Sequence, residues 1–362
     1  MTAPRTMSDS KCDRVMTAIR TKIVSGHLAP GSRMPTWDQM EASFQVGRPT
    51  LMRALERLKR DGFVYSSSTR GTFVAVRPPH LSRYAIVFPE TLVWNRFLAA
   101  MDYEVNCYAQ RQDKQLVAFH HTTANRDNES FARLTDEAYA HRFAGIIIMS
   151  GNELAEIPLF PDLSIGRVIV LAKTTLPGTP HVDVDRESFV NKSLSFLAHR
   201  GRKRVAVLTN DTAPHESYAQ AIPAHGLATK PFWHLAAPIR YTSAAAQIVR
   251  LLLDNPDRPD ALIITDDNLV ESALSGVAAA GLRVPDDLTI VAHCNWSLPV
   301  TSAMPVTFLG FDSRLVLQTC LNVIDAQQRG EQVPPVTMSP ALLAEEDVAA
   351  RIKAGVMPSP PR

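Results

Sequence analysis

Apolar residues recur at helical spacing in two stretches near the start of the chain. Val15, Ile19 and Ile23, with Met16 and Ala18, predict an amphipathic helix over 11–25, which Gly26 stops. Leu51, Leu55 and Leu58 mark the apolar face of another helix over 46–60, whose other faces carry Arg48, Arg53, Arg57, Lys59 and Arg60. Gly47 sits where a cap would, and Pro49 falls in the first turn, where its missing N–H costs least. A Gly/Pro-punctuated connection over 26–35 separates the two, and Thr36 is placed to cap a short helix over 37–44. Beyond Asp61-Gly62 the pattern changes to two short strands, 63–65 and 72–76, joined by a tip that carries Arg70.

Three helices followed by a two-stranded wing predict a winged helix-turn-helix, in which the basic third helix enters a major groove and the wing lies along the backbone. Arg77-Pro78-Pro79-His80 then suits neither a helix nor a strand interior and marks a domain boundary. After it, apolar runs alternate with helical stretches: 84–88, 116–119, 145–149, 168–171, 205–208, 261–264 and 289–292. Such runs, rich in β-branched residues and separated by amphipathic segments, predict parallel sheets covered by helices on both faces. The fold class expected is therefore α/β behind an N-terminal winged helix-turn-helix.

Charge changes this picture more than composition does. The whole chain of 362 residues carries a net +2, but residues 1–80 hold 13 Lys+Arg against 6 Asp+Glu, leaving 25 against 30 for the rest. A head at +7 on a body at −5 points to a polyanion that meets the head alone. The cysteines Cys12, Cys107, Cys294 and Cys320 form no CxxC pair, so neither a zinc site nor a disulfide framework is signalled. No secretory signal is seen, and no apolar run approaches the ~18 residues that span a bilayer. A cytoplasmic protein without membrane association, metal or cofactor is expected.

The segment IRTKIVSGHLAPGSRMPTWDQMEASFQVGRPTLMRALERLKRDGFVYSSSTRGTFV resembles the DNA-binding domain of the GntR family along its whole length. The matching pieces are I-x-x-G-x-L-x-P-G-x-x-x-P, V-x-R-x-T-x-x-x-A-L-x-x-L and the closing G-T-F-V. The resemblance implies that Thr36, Arg48, Pro49, Thr50 and Arg53 meet bases or phosphates, and that Arg70, Gly71 and Thr72 form the wing tip. Two departures stand out. Thr36-Trp37-Asp38 replaces the family's usual Ser-Glu-Arg, putting an anion where a cation is common, and Gly47 replaces a serine.

Residues 182–211, 259–293 and 305–335 resemble the effector-binding region of the LacI/GalR family, which is related to periplasmic sugar-binding proteins. The strongest piece is PDALIITDDNLVESALSGVAAAGLRVPDDLTIVAH. The resemblance implies two lobes of parallel sheet, with crossings near Asp185, Leu298 and Arg329 and ligands at the carboxyl ends of the strands. The expected organisation is a disordered 1–10, a DNA-binding domain 11–77, a linker 78–82, a body 83–350 and a tail 351–362. Lobe 1 takes 83–184 and 300–328, and lobe 2 takes 186–297 and 330–350. Effector contacts are expected from Trp94, Asn95, His120, Ser150 and Lys173 in the first lobe and from Asp211, Asp267, Cys294 and Trp296 in the second. The sugar-binding members usually carry an Arg in the loop where this chain reads APHESYAQA, and Gly-Phe/Tyr-Asp where it reads Ala292-His293-Cys294.

An enzymatic reading finds little support. There is no G-x-G-x-x-G after the first body strand, no phosphate-binding G-x-x-x-x-G-K-[ST], no G-x-S-x-G elbow and no H-E-x-x-H. His120 and His121 are adjacent, so on a strand their side chains diverge. The expectation is a homodimeric regulator, a repressor, that binds a double-stranded operator under control of a small carbohydrate-like effector. The alternatives are a regulator whose body only dimerises and, more remotely, an α/β enzyme.

Overall fold

The computed structural model describes residues 10–89, 95–109, 114–125, 127–149, 153–156, 158–171, 176–210, 216–296, 298–338, 343–344, 350 and 353. The head consists of α1 (Lys11–Val24), α2 (Trp37–Phe44), α3 (Arg48–Arg60), β1 (Val64–Ser67) and β2 (Gly71–Val74). Ser10 caps α1 by accepting from the Asp13 N–H at 3.2 Å. Thr36 and Gln39 form a reciprocal capping box on α2. Val15, Ile19, Ile23, Met40, Leu51, Leu55, Leu58 and Phe63 close over one small core. Burying each such side chain contributes about 1.5–3 kcal/mol, which is what lets so short a segment fold around three helices.

The connection after α1 does more than link. Arg33 forms a β-bridge with Phe73, the Met34 N–H donates to Thr72 O at 2.9 Å, and the Val74 N–H donates to Ser32 O at 2.9 Å. The connection thereby bridges to the edge of the antiparallel β1–β2 wing, a pairing that the Gly/Pro content of this stretch hid.

The expected linker is a built joint. Pro79–Ser82 forms one helical turn, α4, where neither helix nor strand was expected, and Pro78, Pro79 and Ser82 are buried. The His80 ring stacks on Phe63 at 6.1 Å, and burial, with His141 nearby, lowers its pKa to about 4.

The body continues with β3 (Arg83–Pro89), α5 (Arg96–Ala109), β4 (Gln115–Thr122), α6 (Glu129–Tyr139), β5 (Gly145–Ile148), β6 (Gly166–Val170), β7 (His181–Asp183), α7 (Arg186–His199), β8 (Val205–Asn210), α8 (Glu216–Ala224), β9 (His234–Ala237), α9 (Ser243–Leu253), β10 (Ala261–Ile264), α10 (Val270–Ala279), β11 (Thr289–Asn295), β12 (Thr307–Phe311), α11 (Ser313–Gln328), β13 (Val336–Met338) and β14 (Leu343–Ala344). One sheet has the order β13-β7-β6-β5-β3-β4, the other β14-β12-β11-β10-β8-β9. In each, the first strand of the lobe lies between the second and the third, the doubly wound order that creates a switch point. The strand Thr307–Phe311, expected in lobe 1, instead pairs in parallel with β11 in the second sheet. Helices α9 and α10 pack closely because Gly276 has no side chain: a Cβ there would lie 2.4 Å from Ala246 O.

Two compact units emerge, the first drawn from Met1–Glu90, Val105–His181 and Cys320–Pro335, the second from Thr91–Glu104, Val182–Thr319 and Val336–Arg362. The head and the first lobe thus share one unit, joined by Asp61 at the C-cap of α3. Its two oxygens accept from Arg20 of α1 at 3.1 Å and from Arg142, before β5, at 2.6 Å. The Asp61 side chain is 9% exposed and that of Arg20 5%, so water can replace neither partner. Removing the anion from such a pair leaves uncompensated buried charge. Asp61→Ala is expected to lower stability by about 3–5 kcal/mol, read as a displaced urea midpoint, whereas Arg57→Ala, which breaks the exposed bridge to Asp13, should cost about 1 kcal/mol or less.

Candidate nucleic-acid interface and ligand site

On the head, α3 starts from Gly47 without a side-chain cap, with Arg48, Pro49 and Arg53 exposed and Thr50 half-buried on its opening turns. Thr36 is exposed at the start of α2; its oxygen accepts from the Gln39 N–H, which leaves its hydroxyl proton available to a phosphate oxygen. At the wing, Arg70 is exposed and Gly71 has φ +100°, a conformation that a side chain would strain. Thr72 follows in β2, its hydroxyl 3.5 Å from that of Ser66. The exposed Arg33 guanidinium lies beside Gly71, so sequence reasoning missed a second basic group at this edge. Its only sequence signal was a lone cation in a Gly/Pro loop. Asp38, the anion that departs from the usual pattern, accepts from Arg48 at 3.2 Å.

In the second unit the switch point lies between β8 and β10, and polar groups gather at the carboxyl ends of these strands. Asn210, the last residue of β8, donates to Asp266 at 2.6 Å, and the Asn268 side chain donates to the same carboxylate at 2.6 Å. Asp267 is 3% exposed. Its Oδ2 accepts from the Asn295 backbone at 3.2 Å and side chain at 2.9 Å, with the Arg96 Nε 3.6 Å away. Burial raises its pKa; the neighbouring Asp266 adds to the rise, while His293, the Asn295 hydrogen bond and Arg96 oppose it. Arg96 is fixed in turn by hydrogen bonds to Leu298 O at 3.0 Å and Pro299 O at 3.3 Å.

The expected contact residues divide sharply. Asp267 sits at this cluster. Asn95 caps the start of α5, accepting from the Leu98 N–H at 2.8 Å. His120, in β4 of the first unit, stacks on Phe88 at 5.1 Å. Cys294 is not at a ligand surface: alternation along β11 turns it into the second-lobe core, where it is fully buried. Trp296 is part of that same core and offers no open ring face. The side chain that β11 presents beside Asp267 is the half-buried His293, packed against Phe189 and Phe311. Trp94, Ser150, Lys173 and Asp211 lie outside the described residues. Arg96 was not anticipated, because the missing family arginine was sought in the loop after β8 and not before α5.

Comparison with known proteins agrees with this architecture. Residues 11–74 match the family described as "Bacterial regulatory proteins, gntR family", and residues 194–344 match the "Periplasmic binding protein-like domain". The chain therefore joins a GntR-type helix-turn-helix domain to a periplasmic-binding-protein-like domain. It is 23% identical over 302 residues to the arabinose metabolism transcriptional repressor of Geobacillus stearothermophilus, covering 79% of this chain and 82% of that protein. It is 25% identical over 265 residues to catabolite control protein A of Priestia megaterium, covering 69% and 74%. A crystal structure of a LacI family transcriptional regulator from Mycobacterium smegmatis superposes with a TM-score of 0.53 at 21% identity, over 72% of this chain and 96% of that one. These relatives are transcriptional regulators. Among the described residues no helix is long and apolar enough to cross a membrane.

The raised pKa of Asp267 fixes the sign of a pH effect. Below the unfolded value of 3.8 the carboxyl is neutral in both states. As pH rises through its elevated folded value, ionisation favours the unfolded chain and stability is lost. Asp267→Asn escapes this loss, so its stability relative to the parent should improve as pH rises above about 4 and level off once Asp267 is ionised in the folded protein, measured by urea unfolding at several pH values. A constant difference would show that Arg96 and Asn295 fully compensate the charge.

Proposed function

We propose that the chain is a sequence-specific DNA-binding transcription regulator, a repressor, whose operator affinity is modulated by a small polar effector at the carboxyl ends of the second-lobe strands. The observation that carries this reading is the uncapped start of α3, with Arg53 exposed on its opening turns, beside a wing that brings Arg70 and Arg33 to one edge of the head. Uncapped N–H groups and cations there suit a polyanion, and α3 has the dimensions of a major groove. The protein acts in the cytoplasm as a homodimer on a partly symmetric site, since two heads give both affinity and half-site spacing. It performs no catalysis.

The effector is carbohydrate-like and carries no phosphate. Among the described residues Asp266, Asp267 and Glu271 outnumber Arg96 in this cluster, so an anionic ligand would meet excess like charge, whereas hydroxyls can donate to carboxylates. A second reading, a body that dimerises without sensing, is favoured by Arg96, which already lies against the carboxylate that a ligand would use. Thermal unfolding of the purified protein against neutral sugars, sugar phosphates and nucleosides separates the two. At 100 times its dissociation constant, a neutral sugar that binds should stabilise the protein by ~2.7 kcal/mol. No response across the panel, with DNA binding intact, supports the second reading. By linkage, an effector that weakens operator binding tenfold must itself bind about tenfold more weakly to the DNA complex.

For the head, Arg53→Ala should lose most operator affinity at physiological salt. Arg70→Ala should lose less and reduce the salt dependence of log K by about 0.9. Fluorescence anisotropy on an operator selected from random duplexes measures both, and parent-like binding by both variants would refute the head assignment.

A further inference from the structure

Arg48 opens the recognition helix, yet it is not a free cation. Its Nη2 donates to Asp38 Oδ1 at 3.2 Å, its Nε lies 3.9 Å from Glu41 Oε1, and its guanidinium sits 5.7 Å from the centre of the Trp37 ring. All three partners come from α2. Asp38 is 90% exposed and Arg48 54% exposed, so the pair stands in solvent. Exposed ion pairs add little stability, and this arrangement has no evident value to the fold.

Its value lies in what it does to the arginine. Two carboxylates around one guanidinium leave this corner with a formal charge of −1, whereas Arg33, Arg53 and Arg70 form no ion pair among the described residues. A phosphate clamp works by net positive charge, and this corner has none. A base reader works by orientation: the fork must present two parallel N–H groups to two acceptors in one plane. Here the ring of Trp37 supports the guanidinium, and Asp38 and Glu41 occupy its Nε side and part of Nη2. Nη1 and the second Nη2 hydrogen have no partner among the described residues, and the side chain is 54% exposed. That pair of donors fits the O6 and N7 acceptors on the major-groove edge of guanine.

We propose that Asp38 and Trp37 are positioning residues that make Arg48 a guanine reader and not a phosphate contact. The Asp38 carboxylate repels the backbone of every duplex alike, while the orientation it imposes helps only where a guanine is in place. Asp38 therefore lowers affinity for random DNA and raises discrimination. Phosphate binding falls to Arg53, Arg70 and Arg33. This inference rests on the DNA-binding reading of the head.

The test uses the full-length protein. Duplexes are selected from a random pool with the parent, Asp38→Asn and Arg48→Lys, and affinities for the parent-selected duplex and a random duplex are then measured across a salt series. For Asp38→Asn, affinity for the random duplex should rise severalfold and its salt slope should steepen by about 0.9. The specific-to-random ratio should fall, with relaxed base preference at one position per half-site. Arg48→Lys keeps the charge but loses the fork, so specific affinity should fall on the order of tenfold to a hundredfold, with random-duplex affinity changed by about twofold or less. Unchanged melting temperatures would separate these effects from misfolding. Parallel shifts on both duplexes for Asp38→Asn, with the selected sequence unaltered, would overturn the positioning role. Failure of the parent to enrich any sequence would instead remove the DNA-binding reading beneath it.

Discussion

Asp61 carries two jobs that are usually separate. It ends the recognition helix, its N–H donating to Arg57 O, and its carboxylate ties Arg20 of the head to Arg142 of the first lobe. One anion between two guanidiniums is electrostatically under-supplied. Burial of Arg20 disfavours its charged form, and both guanidiniums have Nε atoms without a hydrogen-bond partner. Arg20 is shielded by Phe63, over whose ring its guanidinium lies at 5.3 Å and on which His80 stacks, while the Arg142 side chain is 33% exposed. The recognition helix is therefore held against the first lobe by charge pairing that is buried at Asp61 and Arg20 and reaches solvent at Arg142.

The sequence showed the strands that matter most to the core. Each apolar run noted in the body became a parallel strand; most are buried on both faces and so have no polar positions to interrupt them, while β4, at a sheet edge, is only partly buried. The strands that escaped notice, β9, β13 and β14, lie at the sheet edges and are short. The helices of the head were legible because caps and periodicity coincided, as at Thr36 and Gly47. The α4 turn was not, since the Pro-Pro sequence that signals a break is also compatible with the first turn of a helix.

Site residues were harder to read than elements, for a physical reason. A one-residue error along a strand exchanges the core face for the solvent face, and this separates Cys294 from His293. Asp267 could be singled out because it matches a position of the family pattern just beyond a fully apolar strand. Arg96 was not, because its pairing with Asp267 joins residues far apart in sequence and depends on how the chain returns to β10. The result is a second-lobe cluster in which Asn210, Asn268 and Asn295 already hydrogen-bond the carboxylates. A ligand meeting this cluster would find its polar groups already held in place, and would be selected by charge balance as well as by shape.

The joint at α4 also determines how freely this head could be exchanged. A graft cut at residue 77 would look natural on sequence grounds, since a proline pair follows. It would nevertheless leave Arg142 in the recipient body facing a foreign surface, and Gln328, which donates to His80 O, would depend on the new linker adopting the same turn. Modules that appear interchangeable along the chain are thus matched across the seam, and a working chimera would have to carry both sides of it.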